Sequence, residues 1–162
     1  MTRRLILLRH AKSSWKTSGP DHDRPLNARG RKSADAIGNW LRMAGHLPDQ
    51  ILCSTSRRTV ETCTRLGLDV VPELRGELFH AEPEEMLACL KQAEGRCVMM
   101  IGHNPGIGAF AGRLVTSPPA HDRFDDYPTG ATAVIGFDLS SWNRVAVGTG
   151  HIVVFTVPRD LL

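Results

Sequence analysis

The chain has 162 residues, 41% of them hydrophobic and 23% charged, proportions that fit a soluble globular domain and exclude a disordered, collagen-like or coiled-coil chain. The formal net charge is +3, too small to point to nucleic acid on charge alone. Among the 20 basic residues only Lys12, Lys16, Lys32 and Lys91 are lysine, and the arginine excess suits small oxyanions such as phosphate.

The length predicts one domain over residues 1–162, large enough to need no disulfide or metal staple. Cys53, Cys63, Cys89 and Cys97 are scattered without C-x-x-C spacing, so they read as small buried hydrophobes in a reducing compartment. Near the start, Leu5 to Leu8 is an apolar run too short for a signal peptide or a membrane span. A cytoplasmic protein with no membrane or nucleic-acid partner is expected.

Leu5-Ile6-Leu7-Leu8 predicts a strand buried on both faces, with Arg9 and His10 at its C-terminal end. Residues 11–27 read as a loop. Ala34, Ile37, Leu41 and Ala44 fall at helical spacing, predicting a helix over 28–44 that stops at Gly45. Ile51-Leu52-Cys53 is a second strand, and Ser54 is placed to cap a helix carrying Val60 and Cys63. Val70-Val71 is read as a third strand. Pro83-Glu84-Glu85 opens a helix with Met86, Leu87 and Leu90 buried. Cys97 to Ile101 is the next strand. Asn104 and Pro105 are the expected cap and first residue of a helix carrying Ile107, Phe110, Ala111 and Leu114. Residues 116–130 form a Pro-rich charged loop. Thr132 to Phe137 and His151 to Val157 are two last strands joined by a turn around 138–144. Short apolar runs alternating with helical periods predict an α/β fold, a three-layer αβα sandwich around a mostly parallel sheet.

Ligands of open α/β sheets gather beyond the carboxyl ends of the strands. Three of the predicted strands end in basic or imidazole groups: Arg9-His10, the stretch leading to Arg57 and Arg58, and Gly102-His103. Parallel neighbours would bring two histidines and at least two arginines to one cleft, with helix N-termini adding positive potential. Such a pocket suits a dianionic phosphoryl group. Neutral imidazole can take that group covalently, and arginines can stabilise the transferring oxygens. The sequence has no P-loop, no metal-ligand spacing such as H-x-x-x-H and no EF-hand ladder, so no metal or cofactor is expected.

The motifs that carry this chemistry resemble those of a known family. Leu7-Leu8-Arg9-His10-Ala11 is similar to the Arg-His-Gly signature of the histidine phosphatase (phosphoglycerate mutase-like) superfamily, with Ala11 in place of Gly. Ser54-x-x-x-Arg58-x-x-Glu61-Thr62 resembles its second motif, Ser-Pro-x-x-Arg-Ala-x-Gln-Thr, with Thr55 for Pro and Glu61 for Gln. Gly102-His103-Asn104-Pro105 resembles the third. The segments His10 to Trp15, Asp23 to Leu26 and Leu78 to Ala81, together with the short length, resemble the compact SixA-type phosphohistidine phosphatase branch.

The resemblance implies catalytic roles for Arg9, His10, Arg58 and His103, with His10 phosphorylated in turnover, no metal, and a three-layer αβα fold. Ser13, His80 and Asn104 are candidate substrate contacts. Asp23 and Arg24 read equally as a salt bridge closing the first loop or as a substrate contact. The proton donor of the mutases has no firm counterpart: Glu73, Glu77, His80 or none could serve. A missing acid favours phosphohistidine, whose imidazole leaving group departs far more readily than an alkoxide. The expected substrate is therefore a phosphorylated protein. A small-molecule phosphomonoesterase or phosphoramidase and a non-catalytic phosphoryl-binding module are the alternatives.

Overall fold

The computed structural model describes residues 2–162. Six strands form its sheet: β1 (Thr2–Arg9), β2 (Gln50–Ser54), β3 (Glu73–Arg75), β4 (Cys97–Gly102), β5 (Thr132–Asp138) and β6 (His151–Thr156). Their order is β3-β2-β4-β1-β5-β6. The first four in that order run parallel, β5 is antiparallel to β1, and β6 is antiparallel to β5. The register Arg9↔Gly102 sets the C-terminal ends of β1 and β4 side by side.

Period-two alternation divides the strands between two cores. Leu5, Leu7, Val98 and Met100 pack with α3 (Pro83–Lys91) and α4 (Gly106–Leu114) on one face. Ile6, Leu8, Met99 and Ile101 pack with α1 (Ala28–Ala44) and α2 (Arg57–Leu66) on the other. The result is the three-layer αβα sandwich, and burial on both faces explains the unbroken apolar runs of β1 and β4. Among the described residues no helix is long and apolar enough to cross a membrane. All four cysteines are free thiols, and Cys53, Cys63 and Cys89 are buried.

Helix α1 starts where the Asn27 side chain accepts from the Gly30 amide, and stops at Gly45, which takes a left-handed conformation (φ 76°). Gly30 has a packing role. A methyl group there would run into the Lys12 main-chain carbonyl, so α1 presses directly on the segment after His10.

Local details differ from the sequence reading in four places. Ser54 ends β2 rather than capping α2. The cap is Ser56, whose side chain accepts from the Thr59 amide. Val71 is exposed, and the third strand lies at Glu73–Arg75. That edge strand is solvated, so no apolar pattern marks it. Helix α4 begins at Gly106, one residue later than expected, and the Asn104 side chain accepts from the Gly108 amide. The strand β6 ends at Thr156, where Pro158 opens a short helix α5 (Pro158–Leu161).

Residues 116–130 lack regular helix or strand, yet Phe124 and Tyr127 are buried there against Phe155. The Tyr127 hydroxyl donates to the Leu7 carbonyl at 2.7 Å, which ties this loop to the centre of the sheet.

Candidate active site

A cleft of about 220 Å³ opens beyond the carboxyl ends of β1, β2 and β4. Arg9, His10, Arg58 and His103 all line it. They arrive by three routes. Arg9 and His10 leave the end of β1, where the His10 amide donates to the Gly102 carbonyl at 3.1 Å and the Arg9 amide to Ala131 at 3.0 Å. Arg58 sits in the first turn of α2. His103 follows β4 directly. Thr62 joins two of these segments, accepting from the Ala11 amide at 3.1 Å while donating to the Arg58 carbonyl at 2.7 Å.

The two imidazoles face each other, with ring centroids 5.2 Å apart and planes inclined by 55°. His10 and His103 are 5% and 7% exposed. Burial, helped by the charges of Arg9, Arg58 and Arg24, pushes the His10 pKa down to about 3. Burial likewise lowers His103 to about 3, with His10 and Arg58 adding to the effect. Both rings are therefore neutral at physiological pH. The Nδ1 of His10 lies 2.8 Å from the Ala11 carbonyl, which can only accept, so Nδ1 carries the proton and Nε2 keeps its lone pair. On His103 the Arg58 guanidinium approaches Nδ1 at 3.5 Å and Nε2 reaches the Ser54 hydroxyl at 2.8 Å. A guanidinium only donates, so Nε2–H is the donor to Ser54.

The guanidiniums supply positive potential. Burial lowers the Arg9 and Arg58 pKa values, and Arg58 adds to the effect on Arg9. Arg9 Nη1 donates to the Tyr127 carbonyl at 3.2 Å. The Nε atoms of Arg9 and Arg58 are buried without a hydrogen-bond partner among the described residues, donors that a bound oxyanion can satisfy. Arg58 rather than Arg57 enters the cleft; Arg57 lies outside it in a groove beside His22 and Glu61.

Sequence reasoning missed one member of the site and gave another a different role. Asp21 braces the guanidiniums: its carboxylate accepts from Arg24 Nε at 2.9 Å and Arg58 Nη2 at 3.0 Å, while its carbonyl takes Arg58 Nη1 at 2.7 Å. The Arg24 hydrogen bond, assisted by Arg58, holds the Asp21 pKa below the usual carboxylate range. Arg24 lines the cleft, pairing with Asp21 and not with Asp23, and lies 3.6 Å from the Trp15 ring centroid. The i,i+3 spacing of Asp21 and Arg24 was the only local signal. Ser54 is the other: expected as a cap, it holds His103.

The remaining candidates occupy distinct positions. Ser13 and Asn104 line the cleft but have structural partners. Ser13 accepts from Arg24 at 2.8 Å, and the Asn104 amide donates to the Asp126 and Tyr127 carbonyls, both at 2.9 Å. His80 lines the mouth in a left-handed conformation (φ 63°), its ring 3.9 Å from Phe79 and 6.5 Å from His103. Such strain in a non-glycine residue is typical of functional positions. Glu73 accepts from Gln50 and Glu77 pairs with Arg75; neither lines the cleft. No carboxylate lines it at all among the described residues.

The chain is similar to known proteins in sequence and fold. Residues 5–79 match the model of the histidine phosphatase superfamily (branch 1). An uncharacterized protein of Mycobacterium leprae is 31% identical, over 94% of this chain and all of its own length. A structure from Nakamurella multipartitia, proposed to be the phosphohistidine phosphatase SixA, superposes with a TM-score of 0.84 at 31% identity, covering 98% of this chain and 97% of that one. One from Agrobacterium tumefaciens, likewise proposed to be SixA, gives 0.78 at 27% identity over 96% and 99% of the two chains.

Fold and cleft together define a phosphatase of the histidine phosphatase superfamily, to which the chain belongs. Within it, the chain falls in the compact SixA-type branch.

Proposed function

We propose that the protein is a metal-independent phosphohistidine phosphatase working through a phosphorylated His10. The observation that carries this reading is the opposed pair of neutral imidazoles among three arginines, in a cleft that no carboxylate lines among the described residues. A site with this charge attracts a dianion and repels a metal cation.

The lone pair of His10 Nε2 attacks phosphorus, forming the P–Nε2 bond as the P–N bond of the substrate breaks. The substrate ring reacts in the form protonated on its far nitrogen, so the departing imidazole takes the electron pair of the P–N bond and leaves as a neutral ring. No acid is needed at the bridging atom, in contrast to an alkoxide leaving from a sugar phosphate. Arg9 and Arg58, with Arg24 beside them, hold the equatorial oxygens, and His103 faces the transferring group from the opposite side. Water then attacks phosphorus. His10 leaves as neutral imidazole, because Nδ1–H has stayed on the Ala11 carbonyl. The products are orthophosphate and free enzyme.

A substrate panel tests this. Phosphohistidine peptide is expected to exceed p-nitrophenyl phosphate and sugar phosphates in kcat/KM, with no loss in EDTA. A preference for sugar phosphates would make the protein a phosphomonoesterase, and orthophosphate binding without turnover on any substrate would make it a binding module.

A further inference from the structure

A second, larger groove of about 480 Å³ adjoins the phosphoryl cleft, and the two share Arg9, Lys12 and Thr129. Its polar lining is strongly cationic. Lys12, Arg29, Arg123 and Arg159 surround it together with Arg9, against one carboxylate, Asp126, which Arg123 already neutralises at 3.0 Å. Lys12, Arg29 and Arg159 are exposed and form no ion pair among the described residues. Of these cations only Arg9 and Lys12 also reach the phosphoryl cleft.

The distribution of charge identifies the occupant. A second phosphate would call for donors converging on one point, as Arg9 and Arg58 do in the cleft. Here the cations line a groove of about 480 Å³ from four chain segments: the end of β1 with the loop after it, the first turn of α1, the 116–130 loop, and the C-terminal helix α5. Pro128, Val157 and Pro158 add apolar lining to the same groove. Cations from several segments in a partly apolar groove match an extended polypeptide bearing several carboxylates. We infer that this groove docks an acidic segment flanking the phosphohistidine of the partner protein, and so selects substrates by the charge around the phosphorylated residue. The inference rests on the phosphohistidine reading above. Long-range attraction also speeds encounter and weakens with salt, because screening at physiological ionic strength acts over about 8 Å.

The test uses two chemically phosphorylated histidine peptides, one flanked by Asp and Glu, the other by Ser and Gln, with p-nitrophenyl phosphate as the small substrate. The variant is Arg29→Glu with Arg159→Glu, both exposed and outside the phosphoryl cleft. The wild-type protein is expected to favour the acidic peptide by about ten-fold in kcat/KM at low salt, as expected for a few exposed ion pairs. The advantage shrinks as salt rises, and it disappears in the double variant while p-nitrophenyl phosphate turnover is unchanged. Equal rates on the two peptides, or a preference that survives in the variant, overturn the inference. If neither peptide is hydrolysed but p-nitrophenyl phosphate is, the phosphohistidine reading fails by itself. The groove is then judged by binding of a fluorescein-labelled Asp/Glu peptide without phosphohistidine: weaker binding to the variant supports the site, and equal binding overturns it. A preference for a sugar bisphosphate over its monophosphate, lost in the variant without any peptide preference, overturns it in favour of a small ligand.

Discussion

The Nδ1–H of His10 donates to the carbonyl oxygen of Ala11, its own neighbour in the chain, at 2.8 Å. One main-chain contact thus decides which ring nitrogen is free. Phosphate trapped from labelled substrate during rapid quench is expected on Nε2 of His10 and not on Nδ1, as read by phosphorus NMR of the isolated peptide. His10→Ala should lower kcat by at least about a thousand-fold. A fully active His10→Ala protein would rule out the covalent route.

The buried histidines make stability depend on pH with a definite sign. Both folded pKa values lie at about 3, below the value of ~6.5 in an unfolded chain. Between those limits the unfolded state binds the extra protons, so stability is complete above about 6.5 and is lost as pH falls toward 3. Each imidazole contributes a slope of up to about 1.4 kcal/mol per pH unit in that window. Thermal melting from pH 7 to 4 should show the decline, and His103→Asn should reduce its steepness. An unchanged slope in that variant would contradict the depressed pKa of His103.

Asp21 has no proposed part in bond making, yet it holds Arg58 and Arg24 in place. Asp21→Asn removes the charge and weakens the brace. A fall of roughly ten-fold in kcat is expected from the mispositioned guanidinium. Inorganic phosphate should inhibit the variant at least as strongly as wild type, because the cleft has become more positive. Loss of phosphate affinity with kcat intact would refute the bracing role.

Gly30 is where α1 meets the segment following His10. Gly30→Ala forces a methyl group against the Lys12 carbonyl, main chain that cannot swing aside. Chemical denaturation should register a loss of about 1–3 kcal/mol, the usual range for overpacking. Gly112→Ala, where no atom lies within reach of the added methyl, is the control and should cost little or gain slightly.

Much of the architecture was legible in the sequence because burial on both sheet faces writes itself as apolar runs, as in Leu5 to Leu8 and Val98 to Ile101. The gathering of Arg9, His10, Arg58 and His103 could be anticipated because all four stand at strand ends or helix starts on one edge of a parallel sheet. The edge strand at Glu73–Arg75 could not, since solvated residues carry no such pattern. Asp21 was equally silent. Its importance comes from Arg58, 37 positions away in the chain, and no local spacing encodes that contact. The position of Val71 shows the opposite failure: β-branched residues in a solvated turn look like a strand until their exposure is known.

Placing β1 between β4 and β5 has a consequence for the cleft. The His10 amide is bonded to Gly102 and the His10 carbonyl accepts from Gly130, so this residue is clamped from both neighbouring segments. Its amide proton is held by a main-chain bond at the end of the β1–β4 pairing. The side chains of Trp15, Lys12 and His80 are exposed at the rim, outside that clamp. The floor of the cleft is thus tied into the sheet by main-chain bonds, while its rim is made of exposed side chains.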